Sequence, residues 1–246
     1  MAQPSVALFV TCLVNSLRPG IGFACVKVLE GAGFRVGVPE SQTCCGQPGY
    51  NNGLEQEAAR VARHQIAVLE GYDFVVVPSG SCAGMISVHY PRLLADDSEW
   101  LSRAQALATR TYEFGAFLAA QGIHYRPLVD APTTVHHTSC SCRRETRSHN
   151  QDDRLLTECL GEKLVPLAEQ EVCCGFGGTF SAKFDAISAR MGTDKLNAAS
   201  TASAHQMVSA DLGCLLHLQG LAQRQQRNLR FRHLAEILAD AEREDS

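Results

Sequence analysis

The cysteines of this chain fall into two sets that repeat in order and spacing. The first set is Cys12, the adjacent pair Cys44 and Cys45, and Cys82, and the second is Cys140, the pair Cys173 and Cys174, and Cys214. Equivalent members lie 128, 129, 129 and 132 residues apart, and a glycine follows each pair, at Gly46 and Gly175. An offset that varies so little over half the chain indicates a duplicated unit that binds something through sulfur.

The sulfur atoms limit which groups the chain can bind. Thiolates are soft ligands that suit iron–sulfur clusters, zinc or copper(I), whereas calcium and magnesium prefer oxygen. Zinc sites usually draw their cysteines from pairs about two to four residues apart. The paired cysteines here are adjacent and would serve one tetrahedral ion only with strain, whereas a cluster several ångströms across accepts them on different iron atoms. We therefore predict iron–sulfur clusters, with zinc binding or metal-free thiol–disulfide chemistry as the alternative.

Three cysteines stand outside the repeat. Cys25 and Cys159 fall inside helical patterns, and we interpret them as buried thiols because free cysteine is among the most buried residue types. Cys142 lies two residues beyond a repeated cysteine, and its role as a ligand is left open. The adjacent His136 and His137, just before the second set, either contact its cluster or have a structural role, and the structural interpretation is favoured.

Alternating strands and helices must position the repeated cysteines. In the first half, apolar runs predict strands at residues 6–10, 34–38 and 74–77, and helical spacing predicts helices at 21–30, 54–70 and 99–120. In the second half, the same patterns predict strands at 133–137, 163–167 and 205–209, and helices at 152–160, 181–199, from 214 onward and at 229–239. This alternation is typical of α/β folds with parallel sheets and helices on both faces.

The repeat also predicts the domain organisation. We expect an N-terminal unit at residues 1–121, a C-terminal unit at 133–246 and a linker at 122–132 that contains Pro127 and Pro132. Each cysteine station lies just beyond the carboxyl end of a predicted strand, and open parallel sheets bind ligands at that edge. The four sulfurs of each half should therefore surround one point. We predict two doubly wound halves related by a pseudo-twofold axis.

Composition excludes several other classes of protein. The chain has 246 residues and a net charge of −4, and so lacks the basic surface of a nucleic-acid-binding protein. The first apolar run is too short for a secretory signal or a membrane span. Eleven cysteines, an odd number, fit a disulfide framework poorly and indicate metal binding in a reducing compartment. We therefore expect a cytoplasmic protein.

Four strings of the sequence resemble the cysteine-rich CCG domain family, named for the Cys-Cys-Gly step. They are residues 42–48 (QTCCGQP), 78–82 (PSGSC), 173–180 (CCGFGGTF) and 233–238 (HLAEIL). That family includes the CCG subunit of heterodisulfide reductase and iron–sulfur subunits of anaerobic glycerol-3-phosphate dehydrogenase and glycolate oxidase. The chain most resembles the lactate-utilisation protein A family. The resemblance implies two Rossmann-like halves, iron–sulfur binding, and a part in oxidising L-lactate to pyruvate with partner subunits.

Two positions depart from the pattern of the family. The third cysteine station often reads Cys-x-x-Cys in the family, and the first of these positions is Ser79 or Asp211 here. Four thiolates per half then suit an ordinary [4Fe–4S] cluster, and an oxygen of Ser79 or Asp211 as a further ligand is left open. Around Cys140 the family reads His-Asp-x-Cys-His, whereas residues 137–141 are HTSCS here. The occupant of the second site, a cluster, zinc or nothing, therefore stays open.

The functional expectation is an electron-transfer subunit. No phosphate loop or Ser-His-Asp constellation can be singled out, and no catalytic residue is assigned. The expected partners are other iron–sulfur or redox subunits of a lactate-oxidation complex, with no nucleic acid and no membrane span. The alternative is a zinc-binding or thiol–disulfide subunit of a heterodisulfide reductase-like complex. A third hypothesis is a self-sufficient lactate dehydrogenase.

Overall fold

The first half of the chain forms a parallel sheet surrounded by helices. The computed structural model describes residues 3–244. The strands of this half are β1 (Ser5–Leu8), β2 (Arg35–Gly37), β3 (Phe74–Val77) and β4 (Thr111–Glu113). The helices are α1 (Cys12–Leu17), α2 (Pro19–Gly31), α3 (Gln47–Tyr50), α4 (Glu55–Leu69), α5 (Gly80–Gly84), α6 (Tyr90–Leu93), α7 (Ser98–Ala108) and α8 (Phe114–Ala120), with a π-helical segment (Met85–His89) between α5 and α6.

The second half repeats this arrangement with a smaller sheet. Its strands are β5 (Thr134–His136), β6 (Gln206–Ser209) and β7 (Arg230–His233). Its helices are α9 (Cys140–Arg144), α10 (His149–Leu160), α11 (Thr179–Lys183), α12 (Asp185–Thr201), α13 (Leu212–Arg224) and α14 (Leu234–Asp240), and a 3₁₀ turn (Gly161–Lys163) follows α10. Within residues 3–244, no helix combines the length and the apolar character that a bilayer crossing requires.

Both sheets are parallel, as the strand–helix alternation predicts. The first has the strand order β2-β1-β3-β4, and the second has the order β5-β6-β7. A single parallel bridge from Leu164 to Thr134 lies beside β5, at the place that β2 takes beside β1. The α/β fold with two Rossmann-like halves is thus confirmed.

The two halves have an equivalent backbone hydrogen bond just after their first strands. Just after β1, the Phe9 N–H donates to the Val76 carbonyl of β3 at 2.9 Å. Just after β5, the His137 N–H donates to the Val208 carbonyl of β6 at 2.8 Å. Phe9 and His137 each stand three residues before the first cysteine of their set. The sequence repeat is therefore also a repeat of the structure.

Buried apolar side chains connect the two halves. One cluster includes Val6 and Phe117 from the first half together with Leu155 and Val208 from the second. Helices α2 and α14, from opposite ends of the chain, pack against each other. Among the described residues, the predicted linker at 122–132 contains no helix or strand. The domain boundaries at residues 121 and 133 stay a prediction.

Two predicted helices were wrong because each hides a strand. Residues 99–120 form α7, β4 and α8, and residues 229–239 include β7 and α14. In each half, the last residue of the hidden strand, β4 or β7, is also the N-cap of the following helix, α8 or α14. No turn separates the strand from the helix. The Glu113 carboxylate accepts from the Ala116 N–H at 3.1 Å, and His233 Nδ1 accepts from the Ala235 N–H at 3.1 Å. A strand of three or four residues that runs directly into a helix leaves no period-two signal.

Two other predicted elements of the second half also differ. The strand expected at 163–167 is only the bridge at Leu164, because the 3₁₀ turn occupies its start. The helix expected at 181–199 is two helices, which meet at Phe184 with φ −132° and ψ 55°. These values lie outside the α region, and the chain changes direction there.

Candidate metal centres

All eight repeated cysteines line one cavity, whose volume is about 360 Å³. Cys12 follows β1 and Cys82 follows β3, two neighbouring strands whose connections leave in opposite directions along the sheet. Cys140 follows β5 and Cys214 follows β6 in the same way. Such a reversal of strand order opens a crevice at the carboxyl edge, where doubly wound folds bind ligands. The structure thus brings together every cysteine that the repeat singled out.

The four sulfurs of the first set lie in contact in two pairs. Cys12 Sγ is 3.9 Å from Cys44 Sγ, and Cys45 Sγ is 3.3 Å from Cys82 Sγ. Cys12 is exposed and Cys44 is half-buried, whereas Cys45 is only 2% exposed and Cys82 only 8%. All four are free thiols. The set therefore runs from the solvent side of the cavity into the core of the first half.

The second set repeats this gradient of burial with one addition. Cys140 and Cys173 are half-buried, and Cys174 and Cys214 are buried. The ligand atoms of Cys174, Cys214 and His137 all lie within 4.8 Å of one another. The Gly175 N–H donates to Cys173 Sγ at 3.3 Å. Backbone donors of this kind stabilise negative charge on a metal-bound sulfur.

Side-chain hydroxyl groups cap the N-termini of the short helices that carry the first and last cysteines of the first set. Thr11 accepts from the Val14 N–H at 3.4 Å, so that α1 starts at Cys12. Ser79 accepts from the Cys82 N–H at 3.3 Å at the start of α5. Serine and threonine are favoured N-caps because their oxygen satisfies an unpaired helical N–H. These caps fix the direction in which each helix leaves its strand, and with it the cysteine position.

Glycine allows the backbone to turn directly after each cysteine pair. Gly46 has φ 87° and Gly175 has φ 91°, in the left-handed region that other residues rarely adopt. A Cβ on Gly175 would lie 2.6 Å from the Ser188 carbonyl oxygen. The first pair is held by Tyr90, whose hydroxyl donates to the Cys45 carbonyl at 2.8 Å. The second is held by the Ser188 hydroxyl, which donates to the Gly175 carbonyl at 2.8 Å.

Within each set, neighbouring thiols shift one another's pKa. Hydrogen bonds from the Cys12 and Cys45 thiols hold the pKa of Cys44 at about 2. The same contacts, together with burial, raise the pKa of Cys12 and Cys45. In the second set the pKa of Cys173 is likewise about 2, with hydrogen bonds from Cys140 and Cys174 as the cause. The neighbouring thiols thus favour the thiolate form of Cys44 and of Cys173, and a bound metal would supply positive charge that favours ionisation of further cysteines.

The donor sets fit a soft metal group. Thiolates are the ligands of iron–sulfur clusters and of zinc, and Cys45 and Cys174, each 2% exposed, hold sulfur out of water at the base of the cavity. A cavity of about 360 Å³ exceeds many times the roughly 30 Å³ that one water molecule occupies in the liquid. It therefore has room for groups larger than single ions.

One charged residue near the second set was missed in the sequence. Lys195 of α12 is only 3% exposed, and its ammonium donates to the Glu169 carbonyl. Burial lowers the pKa of Lys195, and the thiols of Cys174 and Cys140 oppose that shift. The sequence contained a signal for this burial, because Lys195 falls on the apolar face of the helical pattern of α12, beside the buried Leu196 and Ala199. A lysine at a buried helical position requires a negative partner.

The three cysteines outside the repeat lie outside the cavity. Cys25 of α2 and Cys159 of α10 are completely buried, as predicted for packing thiols. Cys142 is 1% exposed, and its sulfur lies against α5 at Gly80. Ser79 and Asp211, the two departures from Cys-x-x-Cys, do line the cavity.

The chain belongs to the family of cysteine-rich CCG domain proteins, whose family model matches residues 6–87 and 134–219. Each match lies within one half of the chain and contains all four repeated cysteines of that half.

Several proteins that are similar to this chain carry the name Lactate utilization protein A. The protein of that name from Shouchella clausii (strain KSM-K16) is 40% identical over 243 residues, which cover 97% of this chain and 100% of the relative. The one from Bacillus pumilus (strain SAFR-032) is 39% identical over 238 residues, and the one from Geobacillus sp. (strain WCH70) is 40% identical over the same number. In both, the matched residues are 95% of this chain and 98% of the relative.

Proposed function

We propose that the chain is an iron–sulfur electron-transfer subunit of a system that oxidises L-lactate to pyruvate. Each half, residues 1–121 or 133–246, would hold one cluster, of the [4Fe–4S] type, through its four repeated cysteines. The observation that carries the proposal is the convergence of two equivalent sets of free thiols, eight in all, on one cavity. Free clustered thiols suit a reducing compartment, and we place the protein in the cytoplasm.

The chain's own residues would position, shield and tune the bound groups. A cluster supplies one-electron redox chemistry when bound, at a potential that hydrogen bonds and solvent exposure adjust. Cys45 and Cys174 keep water from the buried side. The Gly175 N–H on Cys173 Sγ and the nearby Lys195 ammonium would stabilise negative charge at the second centre. The exposed Cys12 leaves the first centre open toward a partner.

The role of a subunit, rather than of a complete enzyme, rests on the cavity lining. Sulfur, hydroxyl and amide groups dominate it, together with the carboxylates of Glu145 and Asp211. The Asp211 carboxylate is engaged by the Ser81 N–H at 3.1 Å, and Glu145 by the His89 ring at 3.1 Å. Partner subunits with further cofactors would therefore carry the hydroxy-acid chemistry. The name of the relatives, Lactate utilization protein A, supports lactate as the substrate of the system.

Zinc is the competing occupant. Tetrahedral zinc with Zn–S bonds of about 2.3 Å holds its sulfurs about 3.8 Å apart. The sulfur pairs of the first set are 3.9 Å and 3.3 Å apart, close to that spacing. Cys174, Cys214 and His137 likewise form a compact group. A zinc-bound chain would be a structural or thiol–disulfide subunit, so the metal content decides between the two functions.

Growth on lactate tests the proposed function directly. A strain that lacks this chain should lose growth on L-lactate as sole carbon source and regain it with the wild-type gene. The Cys45→Ala and Cys174→Ala variants should not restore growth, whereas Cys159→Ala, the matched loss of a buried thiol outside the cavity, should. Undiminished growth without the chain would contradict the proposed function.

A purified-protein experiment separates a subunit from a complete enzyme. The chain, isolated anaerobically, should be reduced by dithionite with bleaching of the visible absorbance that iron–sulfur centres give. Alone with L-lactate and an artificial electron acceptor it should not turn over. Lactate oxidation by the isolated chain would contradict the subunit model.

A further inference from the structure

We propose that His137 provides a nitrogen ligand to the second metal centre and that the first centre has no such ligand. The two centres would then differ chemically although the fold repeats. This inference rests on the proposed function, because it requires a metal group at the second set of cysteines.

The position of the His137 ring carries the proposal. One of its nitrogens, Cys174 Sγ and Cys214 Sγ all lie within 4.8 Å of one another. His137 is 1% exposed, and neither ring nitrogen has a hydrogen-bond partner among the described residues. A buried polar group without a partner destabilises the fold. A metal group held by the two thiolates would satisfy one of these nitrogens.

The adjacent histidine, His136, has a different side-chain partner. His136 is also buried, at 3% exposure, but its Nδ1 lies 2.6 Å from the Asp153 carboxylate. Successive side chains at the end of a strand point to opposite faces, and His136 is the last residue of β5. His136 therefore faces α10, which carries Asp153, whereas His137 reaches toward the buried thiols. The pair provides a test residue and a matched control side by side.

The first half has an apolar residue at the equivalent position. Phe9 follows β1 as His137 follows β5, with the matching backbone hydrogen bond to the neighbouring strand. Phe9 is completely buried and belongs to the apolar cluster that contains Cys45 and Cys82. A phenyl ring in the first half and an imidazole in the second thus occupy equivalent positions of the repeat. Only the imidazole can bind a metal.

The chemistry of the imidazole ring suits a ligand. A neutral imidazole keeps a free lone pair on one of its two nitrogens. A neutral imidazole adds a ligand without adding negative charge, and histidine ligation raises the reduction potential of an iron–sulfur centre relative to cysteine alone. The second centre is thus expected to be the easier one to reduce.

Nitrogen hyperfine spectroscopy tests this ligand on the full-length chain. The protein is produced with ¹⁵N-histidine, purified anaerobically and brought to a paramagnetic state. We expect a directly coordinated histidine nitrogen in the wild-type spectrum. The coupling should vanish in His137→Phe and persist in His136→Leu, two variants that each introduce the residue of the first half. His137→Phe should also lower the midpoint potential of one centre and leave the other unchanged.

The outcomes separate the ligand from the proposed function. Iron and acid-labile sulfide in the wild type without a coordinated histidine nitrogen would overturn the role of His137 and leave the proposed function standing. Persistence of the coupling in His137→Phe would overturn it as well. Wild-type protein that binds neither iron nor sulfide would overturn both. Because the absence of a coordinated nitrogen in the labelled wild type is enough to overturn the role of His137, the proposal stays falsifiable even if a variant does not fold.

Discussion

The Ser79 hydroxyl donates a hydrogen bond to the Asp211 carboxylate across the boundary between the two halves, at 3.4 Å. The two residues occupy equivalent positions in the repeat, each three residues before the last cysteine of its set. Asp211 Oδ2 also accepts from the Ser81 N–H at 3.1 Å. Both residues are buried, Ser79 at 4% and Asp211 at 6% exposure. The positions that depart from Cys-x-x-Cys thus join the halves beside the two sets of cysteines.

Replacement of Asp211 should weaken this junction. Asp211→Ala removes the acceptor of two donors, and an unmade hydrogen bond of a buried group costs about 1–3 kcal/mol. Asp211→Asn keeps an acceptor oxygen and should lose less. Urea unfolding of the metal-free proteins measures the difference. An alanine variant as stable as the wild type would show that the contact between Ser79 and Asp211 contributes nothing.

The two glycines behind the cysteine pairs should tolerate alanine to different degrees. Both have a positive φ, which costs a residue with a side chain roughly 1–2 kcal/mol. At Gly175 the new methyl would also lie 2.6 Å from the Ser188 carbonyl, whereas at Gly46 the nearest atom is Val61 Cγ1 at 3.2 Å. A side chain can move aside more easily than backbone. Gly175→Ala should therefore lose more of its bound iron than Gly46→Ala after anaerobic desalting, and the opposite order would be inconsistent with this geometry.

The close contact between α5 and α9 depends on Gly80. A methyl group there would overlap the Cys142 sulfur, so Gly80→Ala should destabilise the chain by about 1–3 kcal/mol, as overpacking does in other cores. Cys142→Ala removes the overlapping atom and should restore part of the loss in the double variant. Denaturant titration of the four proteins gives the coupling free energy. Strictly additive effects would disprove the contact.

Two buried carboxyl groups predict how stability depends on pH. Burial raises the pKa of Glu113 to about 7, and burial followed by the charge of Glu113 raises the pKa of Asp152. The two carboxyl groups also hydrogen-bond each other, which opposes the rise in the pKa of Glu113 and adds to that of Asp152. Because the folded chain holds these protons more tightly than the unfolded chain, the free energy of unfolding falls as pH rises from about 4 through 7.

Asp152→Asn should flatten that dependence. The variant keeps the shape of the side chain but loses one titrating group, so it should exceed the wild type in stability at pH 8, where each unit of raised pKa costs the wild type about 1.4 kcal/mol. Thermal unfolding of the metal-free proteins at pH 5 and pH 8 checks this. Parallel stability curves for the two proteins would contradict the assignment.

Much of the site was predictable because it depends on the order of strands and cysteines along the sequence. Cysteines that follow strands of a parallel sheet must meet at one edge, so the positions of Cys12 and Cys82 required no knowledge of side-chain packing. The strands β4 and β7 were missed because Glu113 and His233 end a strand and cap a helix at once. Periodicity needs several residues, and these strands have three and four.

Other features could not be predicted, because they depend on how distant parts pack. Sequence analysis favoured a structural role for both His136 and His137, since nothing in two adjacent histidines tells which one faces the thiols. The contact of Ser79 with Asp211 requires the relative placement of the halves, which no local pattern encodes. Lys195 was overlooked because a lysine on a helix normally points to solvent.

The central claim, that each half gathers its cysteines around an iron–sulfur cluster, is tested most directly by metal and acid-labile sulfide analysis. The anaerobically purified wild type should contain several irons and sulfides per chain. Cys45→Ala and Cys174→Ala should each lose about half of both, since each removes one thiolate-bound centre, while Cys159→Ala should lose none. Stoichiometric zinc without sulfide, or iron unaffected by either cavity substitution, would contradict the account.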